Sequence, residues 1–361
     1  MSEHRAARAA LAASTSEAVR ERRSRGPAVA HAARPPRRRR PFLVALIATL
    51  GSLVGIATVI AVTASVFLGG LARSFDTNTT TIPNAFPAGA RPAATDGAEN
   101  ILLIGSDSRA ELDPDGDGAA GGRSDTLMLL HVPADRKAVY LMSIMRDSWV
   151  DVPGHGKAKI NAAYSWGGMP LVVQTVERLL DSRIDHVAEI DFAGFEDMTD
   201  ALGGVTVRST QAFEARGHAF VAGPNRLDGA AALAFVRERH AFADADHTRV
   251  RNQQAFMRGV LDGALSRGTI TDPGRIRAFV DATTAHLSVD AGLDLRTLVD
   301  LGWSLRGIRS SDLVTFTMPT AGGGTSSDGQ SYVAVNTLAV QSLSQALRSD
   351  DVAGWLEENP Q

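Results

Sequence analysis

The chain has 361 residues and a net charge of only −3, unevenly distributed along the sequence. The first 41 residues contain eleven arginines against three glutamates and carry +8, so the rest carries −11; a short basic tail before an acidic domain argues against a nucleic-acid-binding protein. The absence of cysteine excludes disulfides, thiolate metal sites and a cysteine nucleophile.

The N-terminal region predicts a membrane anchor. Residues 1–41 are rich in Ala and Arg without apolar periodicity, which predicts a disordered tail. Phe42–Ala72 contains no charged residue, and about 20 apolar residues suffice for a helix to span a bilayer. Because the arginine cluster precedes this run, the positive-inside rule predicts a single-pass protein of the cell membrane with a cytoplasmic N-terminus. A cleaved signal peptide is the alternative, although its apolar region usually has only about 7–15 residues.

The rest of the chain is expected outside the membrane. Residues 73–97 are rich in Thr, Pro and Ala and predict a linker. We expect an extracytoplasmic domain over residues 98–350, followed by a short C-terminal tail at residues 351–361. No internal repeat is present.

The domain begins with short apolar runs typical of buried strands. Thr126–Val132 and Ala138–Met145 are separated by only five residues, too few for a crossover, so we expect an antiparallel hairpin. The hairpin would bring Arg123 and Asp125, at the start of its first strand, beside Arg146 at the end of its second.

Asp107 would reach the same edge if the preceding run, Asn100–Ile104, also pairs antiparallel with the first hairpin strand. Asp107 and Asp125 are hard oxygen ligands near arginines, which suits Mg²⁺ held by carboxylates and substrate phosphates. A structural ion-pair network is the alternative. The segment DPDGDG at Asp113–Gly118 begins like an EF-hand loop, but position twelve is Ser124, so we interpret it as a surface loop.

Downstream, helical and strand patterns alternate, which predicts a single α/β domain with a mixed central sheet flanked by helices, preceded by one transmembrane helix. Strands are predicted at His186–Phe192, Gly204–Val207 and Leu313–Thr317. Helices are predicted at Met169–Leu180, Phe195–Leu202, Asp228–Phe235, Asp246–Arg267, Pro273–His286, Leu295–Ile308 and Asn336–Leu347.

The stretch FVRERHAFADADHTRVRNQQ, residues 235–254, concentrates polar groups in an apolar chain. Arg237 and Arg239 are two apart, so on an extended segment they would point to the same face. Asp246 is typical of a helix start, and Arg249 and Gln253 would share its side of that helix. Guanidinium groups match phosphate oxygens in geometry and charge. The alternative is a solvated helix face with Asp246 as a simple N-cap.

Five segments together resemble the LytR–CpsA–Psr family of envelope phosphotransferases. They are NILLIGSDSR, GGRSDTLMLLHV, VYLMSIMRDSWVDVPGHGKAKINAAYSWGG, IDHVAEIDFAGFEDMTDALGGV and the stretch at residues 235–254. The resemblance implies transfer of a glycopolymer from a polyprenyl-pyrophosphate carrier to the C6 hydroxyl of muramic acid in peptidoglycan. The partners would be the lipid-linked glycan, peptidoglycan and the bilayer, without nucleic acid. A pyrophosphatase, or a non-catalytic glycan-binding regulator or scaffold, is the alternative.

The resemblance also assigns roles to residues. Asp107 and Asp125 would hold Mg²⁺. The residues expected to act on the reacting pyrophosphate are Arg123, Arg237, Arg239 and Asp246. Those expected to bind substrate are Arg146, Arg249, Gln253, Lys159 and Asn161. A long apolar tunnel would hold the lipid, with candidates in Leu171–Leu180, Phe192 and Phe195, and ordinary core packing is the alternative explanation of these residues.

Overall fold

The computed structural model describes most of the chain beyond the apolar stretch. The described residues are 58–59, 62–63, 65–107, 123–242 and 246–360, with the backbone alone for 107 and 123–125. Ser65–Gln361 is a compact unit separate from Met1–Ala64. The predicted N-terminal tail at residues 1–41 and the loop Asp113–Gly118 lie outside the described residues, as does most of Phe42–Ala72. Among the described residues, no helix is both long and apolar enough to cross a membrane.

A seven-stranded mixed sheet lies at the centre of the domain. Its strands, in spatial order, are β1 (Thr80–Thr81), β12 (Leu287–Val289), β7 (His186–Asp191), β2 (Glu99–Asp107), β3 (Arg123–Val132), β4 (Val139–Ile144) and β13 (Leu313–Thr317). Strand β3 is antiparallel to both β2 and β4, whereas β2 is parallel to β7 and β4 to β13. The predicted mixed sheet is therefore confirmed.

The predicted hairpin is also confirmed by the backbone. Leu127 at the start of the apolar part of β3 pairs with Ile144 at the end of β4. Strand β2 pairs antiparallel with β3, and Asp107 lies opposite Arg123 beyond a register shift after Gly105. The ends of these three strands therefore meet at one edge of the sheet.

Helices cover both faces of this sheet. They are α1 (residues 65–78), α2 (Ala162–Leu180), α3 (Phe192–Ala201), α4 (Gly229–Arg237), α5 (Asp246–Ala264), α6 (Arg267–Ile270), α7 (Pro273–Thr284), α8 (Leu295–Ser304), α9 (Thr337–Arg348) and α10 (Val352–Glu358). Apolar residues of α2, α9 and α10 pack on one face in a single core. Helices α3, α4, α5 and α8 contribute to clusters on the opposite side.

Smaller sheets also form, and of their strands only β8 (Val205–Ser209), predicted at Gly204–Val207, was expected from the sequence. One has four strands, β14 (Thr320–Thr325), β15 (Ser331–Val335), β5 (Ser148–Val152) and β6 (Gly156–Lys159), in that spatial order. Two antiparallel pairs join β8 (Val205–Ser209) to β11 (Gly223–Leu227), and β9 (Phe213–Ala215) to β10 (His218–Phe220). Most of these strands are short, so alternation of apolar residues was too brief to distinguish them from loops.

The predicted linker at residues 73–97 is instead part of the packed domain. Phe75 and Ala85 are buried, and the Arg91 guanidinium donates to Glu177 of α2, with 2.6 Å between Nη2 and Oε1. Both of these side chains are mostly buried. The linker prediction was wrong because it rested on the Thr/Pro/Ala composition of the segment, whereas a few apolar and charged residues determine where the segment packs.

The predicted tail at residues 351–361 contains helix α10. Val352 and Trp355, on the same side of this helix, belong to the core beside α9, and the Trp355 indole donates to the Ser342 hydroxyl at 2.8 Å. Asp351 caps the helix by accepting from the Gly354 amide. A cap followed by apolar residues three apart was the local signal for this helix.

Candidate functional site

A cavity of about 510 Å³ lies between the central sheet and helices α3, α4 and α5. Its interior is apolar. The lining side chains include Leu103, Met128, Ala188, Ile190, Phe192, Phe195, Met198, Leu233, Phe256, Met257, Val260 and Leu287. Strands β2, β3 and β7 contribute from one face, because alternate residues of a strand point to the same side.

Cationic and amide groups line the same cavity. Arg146 follows β4, Arg237 ends α4, Arg239 lies two residues later, and Arg249 and Gln253 lie on α5. These five residues were candidates from the sequence, and the fold brings them together although Arg146 and Gln253 are more than a hundred positions apart. Their side chains therefore adjoin a space that could hold an anionic group.

The backbone at Arg237 differs from the prediction. Helix α4, capped by Asp228, includes Arg237 as its last residue, and the extended conformation begins only at Glu238 (φ −67°, ψ 133°). The proposed extended Arg-x-Arg segment is therefore wrong for Arg237, because the Ala-rich run continues the helix that far. The Arg237 guanidinium carbon lies 4.2 Å from the centroid of the Phe192 ring, so a cation–π contact orients this side chain.

Asp246 and Arg249 form an ion pair within the first turn of α5. Arg249 Nη2 lies 2.9 Å from Asp246 Oδ1, and the Arg249 side chain is only 7% exposed. Burial lowers the pKa of Arg249, the Asp246 carboxylate opposes this, and the positive charges of Arg146 and Arg239 lower it further. The Nε of Arg249 has no hydrogen-bond partner among the described residues. A buried guanidinium with an unused donor among other cations favours an anion in the cavity.

Gln253 connects α5 to the sheet at the cavity. Its side-chain amide donates to the Thr126 hydroxyl of β3 at 3.0 Å. Thr126 lines the cavity and was not identified from the sequence. The neighbouring Gly105 of β2 allows this approach, since a Cβ there would lie 3.1 Å from the Thr126 Cβ.

Lys159 and Asn161 reach the site only indirectly. Lys159 Nζ lies 3.2 Å from Asp147 Oδ1, and the other oxygen of Asp147 is 3.5 Å from Arg146 Nε. The backbone amide of Asn161 donates to the Arg146 carbonyl at 3.1 Å. Neither residue lines the cavity. Asp147, which links Lys159 to Arg146, was missed, although it directly follows Arg146 in the sequence.

Asp107, Arg123 and Asp125 are placed by their backbone. Asp107 pairs with Arg123 at the end of the β2–β3 ladder, two positions beyond Gly105, which lines the cavity. Asp125 directly precedes Thr126. Their side chains lie outside the described residues, so their contacts stay predictions. Among the side chains that are described, no group of three or more histidines or carboxylates is arranged to hold a metal ion.

The apolar interior agrees only in part with the predicted lipid tunnel. Phe192 and Phe195 line the cavity, whereas none of Leu171–Leu180 does. Val172, Val173 and Leu180 are buried in the core on the opposite face of the sheet. The helical periodicity that identified them cannot show which face of the sheet a helix covers. Arg216, in the turn between β9 and β10, also lines the cavity and was not predicted.

Solved structures share this fold. The structure of TagT bound to LI-WTA superposes with a TM-score of 0.58, covering 74% of this chain and 99% of TagT at 25% identity.

Two curated relatives are also similar to part of the chain. The probable cell wall biosynthesis protein LcpB of Corynebacterium glutamicum is 38% identical over 241 residues, which are 64% of this chain and 57% of LcpB. The polyisoprenyl-teichoic acid–peptidoglycan teichoic acid transferase TagU of Bacillus cereus is 35% identical over 199 residues, 55% of this chain and 63% of TagU. The chain thus spans less than two thirds of the length of these relatives. Residues 70–349 match the LytR_cpsA_psr family, and the chain belongs to this family.

Proposed function

We propose that this protein transfers a glycopolymer from a polyprenyl-pyrophosphate carrier to peptidoglycan, forming a phosphodiester at the muramic acid C6 hydroxyl. The observation that carries the proposal is the division of one cavity into an apolar interior and an arginine-lined part. A lipid pyrophosphate has the same division, with an apolar chain attached to a concentrated negative charge. The name of TagU, a polyisoprenyl-teichoic acid–peptidoglycan transferase, supports the same reaction class.

The arginines would bind the pyrophosphate. Arg237 and Arg239 reach the cavity from the end of α4, Arg249 from α5 and Arg146 from the end of β4. Charge-assisted hydrogen bonds from guanidinium groups are roughly twice as strong as neutral ones and match phosphate geometry. Because Arg249 is buried and keeps an unused donor, an anion here restores a hydrogen bond that folding removed.

The transfer step needs positioning and charge neutralisation. The muramic acid hydroxyl attacks the phosphorus that carries the glycan, its proton is lost, and the bond to the bridging oxygen breaks. The carrier leaves as polyprenyl phosphate. Negative charge grows on the leaving oxygen, and preorganised cations stabilise this charge without reorganisation at the moment of reaction. Asp246 orients Arg249 by their ion pair.

Asp107 and Asp125 fit a magnesium ion in their chemistry and backbone position. Asp107 is the last residue of β2 and Asp125 lies near the start of β3, at the edge of the sheet that also carries the cavity residues Gly105 and Thr126. Paired carboxylates with substrate phosphates are the usual ligands of Mg²⁺ in phosphoryl transfer. When bound, Mg²⁺ would supply further positive charge to the phosphate oxygens.

We also propose that Phe42–Ala72 anchors the protein in the cell membrane with the domain outside. The lipid carrier resides in the membrane and peptidoglycan lies beyond it, so this orientation gives the domain access to both substrates. The length and lack of charge of the segment support the anchor.

The test is an assay of the purified full chain with a lipid-pyrophosphate glycan, Mg²⁺ and peptidoglycan fragments. We expect a product in which the glycan phosphate is joined to the fragment. Release of free phospho-glycan without that product would instead indicate a pyrophosphatase. Binding of the lipid glycan without turnover would indicate a regulator or scaffold, and either result would overturn the transferase proposal.

A further inference from the structure

Helix α8 has an apolar side that nothing in the described domain covers. The Val299 and Trp303 residues, one helical turn apart, are 51% and 70% exposed. None of the ten residues of this described helix is buried. Large apolar side chains exposed together on one helix face usually mark a contact with a partner or a membrane.

The position of α8 indicates what this contact is. Phe75 of α1 is buried with Val289 and Leu293, and Leu295 and Leu298 of α8 pack against the same cluster. Helix α8 therefore lies beside α1, whose residues 65–72 are the last residues of the apolar stretch proposed as the anchor. An anchored chain would bring α8 close to the bilayer surface.

Helix α1 is also held by α7, so its position against the domain is defined. The Ser74 hydroxyl donates to the Asp281 carboxylate, and Gly70 lies against Arg277, whose Nη1 would be 3.8 Å from a Cβ at that glycine. Contacts with two helices make α1 a part of the domain surface rather than a free tether. Two of its own apolar residues, Val66 and Leu68, are 71% and 57% exposed.

The chemistry around Trp303 matches a bilayer interface. The Arg306 guanidinium carbon lies 5.0 Å from the Trp303 ring centroid, and the Arg296 side chain is 90% exposed, with its Nε 4.0 Å from Asp300 Oδ2. Asp300 is the one acid within α8. Tryptophan beside arginine is typical of the headgroup region, where the ring meets the apolar boundary and the cation meets lipid phosphates.

We propose that α8 is a membrane-contact helix, which places Val299 and Trp303 in the headgroup region of the bilayer while Arg296 and Arg306 face lipid phosphates. The inference rests on the proposed anchoring. It also gives the cavity a defined orientation. Leu287 lines the cavity and packs on the Phe75 cluster, so the apolar part of the cavity adjoins the membrane-facing end of the domain. A polyprenyl chain could pass from the bilayer into the cavity over a short distance.

The test uses the absence of native cysteine. Full-length Val299→Cys is labelled with an environment-sensitive fluorophore and reconstituted into phosphatidylethanolamine–phosphatidylglycerol vesicles. Lipids carrying a doxyl quencher at a shallow acyl position are then added. We expect strong quenching. The matched control is Leu338→Cys at the start of α9, which is 79% exposed but far from α1 in sequence and packing, and we expect little quenching there.

A third variant separates two failures. Leu53→Cys lies inside the proposed anchor and reports whether that segment is in the bilayer. Quenching at position 53 with equal, weak quenching at 299 and 338 would overturn the contact while leaving the anchor intact. Absence of quenching at position 53 would contradict the anchor itself. If the label at position 299 is then also unquenched, the membrane contact of α8 is overturned as well. Because Val299 and Leu338 are exposed, their replacement should leave the melting temperature unchanged, and the melting temperature of each variant checks its folding.

Discussion

The two faces of the central sheet differ although the same strands form both. On β2, Leu102 belongs to the core beside α2 and is completely buried, whereas the next residue, Leu103, lines the cavity. One face is a closed core and the other encloses about 510 Å³. Apolar residues therefore serve two different purposes here, and hydrophobicity alone does not distinguish them.

Close contacts between elements on the cavity side explain the difference. A Cβ at Gly229 of α4 would lie 2.6 Å from the Glu196 carbonyl of α3, and one at Gly259 of α5 would lie 2.8 Å from the Thr206 carbonyl of β8. Helices α3, α4 and α5 thus pack tightly against one another and against β8. Because these helices pack against one another and against β8, they enclose a cavity above the central sheet and do not fill the space on that face.

The largest effect should come from a cavity arginine. We expect Arg239→Ala to lower glycopolymer transfer by about 10³-fold or more, since arginines that stabilise transferred phosphoryl groups contribute about that much. Folding stability should change little, because Arg239 lines the cavity outside any helix. The matched control is Arg251→Ala on α5, which is exposed and should keep near wild-type transfer. Equal rates in both variants would contradict the site.

The two faces can be compared directly at adjacent leucines. Leu102→Ala should lower the free energy of unfolding by about 2–5 kcal/mol, because it opens a new void in a closed core. Leu103→Ala should cost about half as much, because it enlarges a cavity that already exists. Urea denaturation of both variants measures this. A larger loss of unfolding free energy for Leu103→Ala than for Leu102→Ala would contradict the assignment of the closed core and the cavity to these two faces of the sheet.

Adjacent glutamines on α5 give a second, smaller contrast. The Gln254 amide is buried and donates to the Phe316 carbonyl at 3.0 Å and to the Ser143 hydroxyl at 3.1 Å. Gln254→Leu should therefore cost about 1–3 kcal/mol of stability by leaving those acceptors unpaired. Gln253→Leu should cost less stability, because Gln253 is only half-buried and loses one hydrogen bond to Thr126, and should lower transfer about tenfold, the size expected for one hydrogen bond to a charged group. Thermal melts and the transfer assay separate the two effects.

The smallest predicted effects concern two histidines, one on β3 and one on β7, the strands on either side of β2. Burial lowers the pKa of His131 below its ordinary 6.5, although Asp350 opposes this, so the folded state keeps the ring neutral. The unfolded state then binds more protons, and stability falls as the pH drops below about 6.5. His131→Gln should weaken that loss, measured as unfolding free energy at about pH 5.5 and 7.5.

His186 should show the opposite dependence. Its hydrogen bond to Asp290 raises the pKa of His186 above 6.5, so the folded state retains the proton longer. The stabilisation is present below about pH 6.5 and is lost as the pH rises through the folded-state value. His186→Gln should therefore destabilise mainly on the acidic side, and a uniform loss from pH 5.5 to 7.5 would contradict the ion pair.

Much of the fold followed from local patterns. Strand β13 matches the predicted range, and the β3–β4 hairpin, helix α7 and the start of α5 were close to theirs. The arginines and Gln253 were identified because charged groups are conspicuous in an apolar chain. Errors occurred where long-range packing overrides composition. The segment at residues 73–97 was expected to be a linker, yet Arg91 is buried against Glu177 of a helix 86 positions away.

The sequence by itself determined which chemical groups are available, namely guanidinium groups and a carboxylate pair. It also determined an uncharged run of membrane-spanning length and the positions of many strands and helices, because strand and helix periodicity depends on residues close together in the chain. Only the tertiary structure decided that Arg237 ends a helix, that Leu171–Leu180 fills a core while Phe192 and Phe195 line a cavity, and that α8 packs near α1 with its other apolar side exposed. These outcomes depend on which residues distant in sequence come into contact, and periodicity records the buried side of an element but not what lies opposite it.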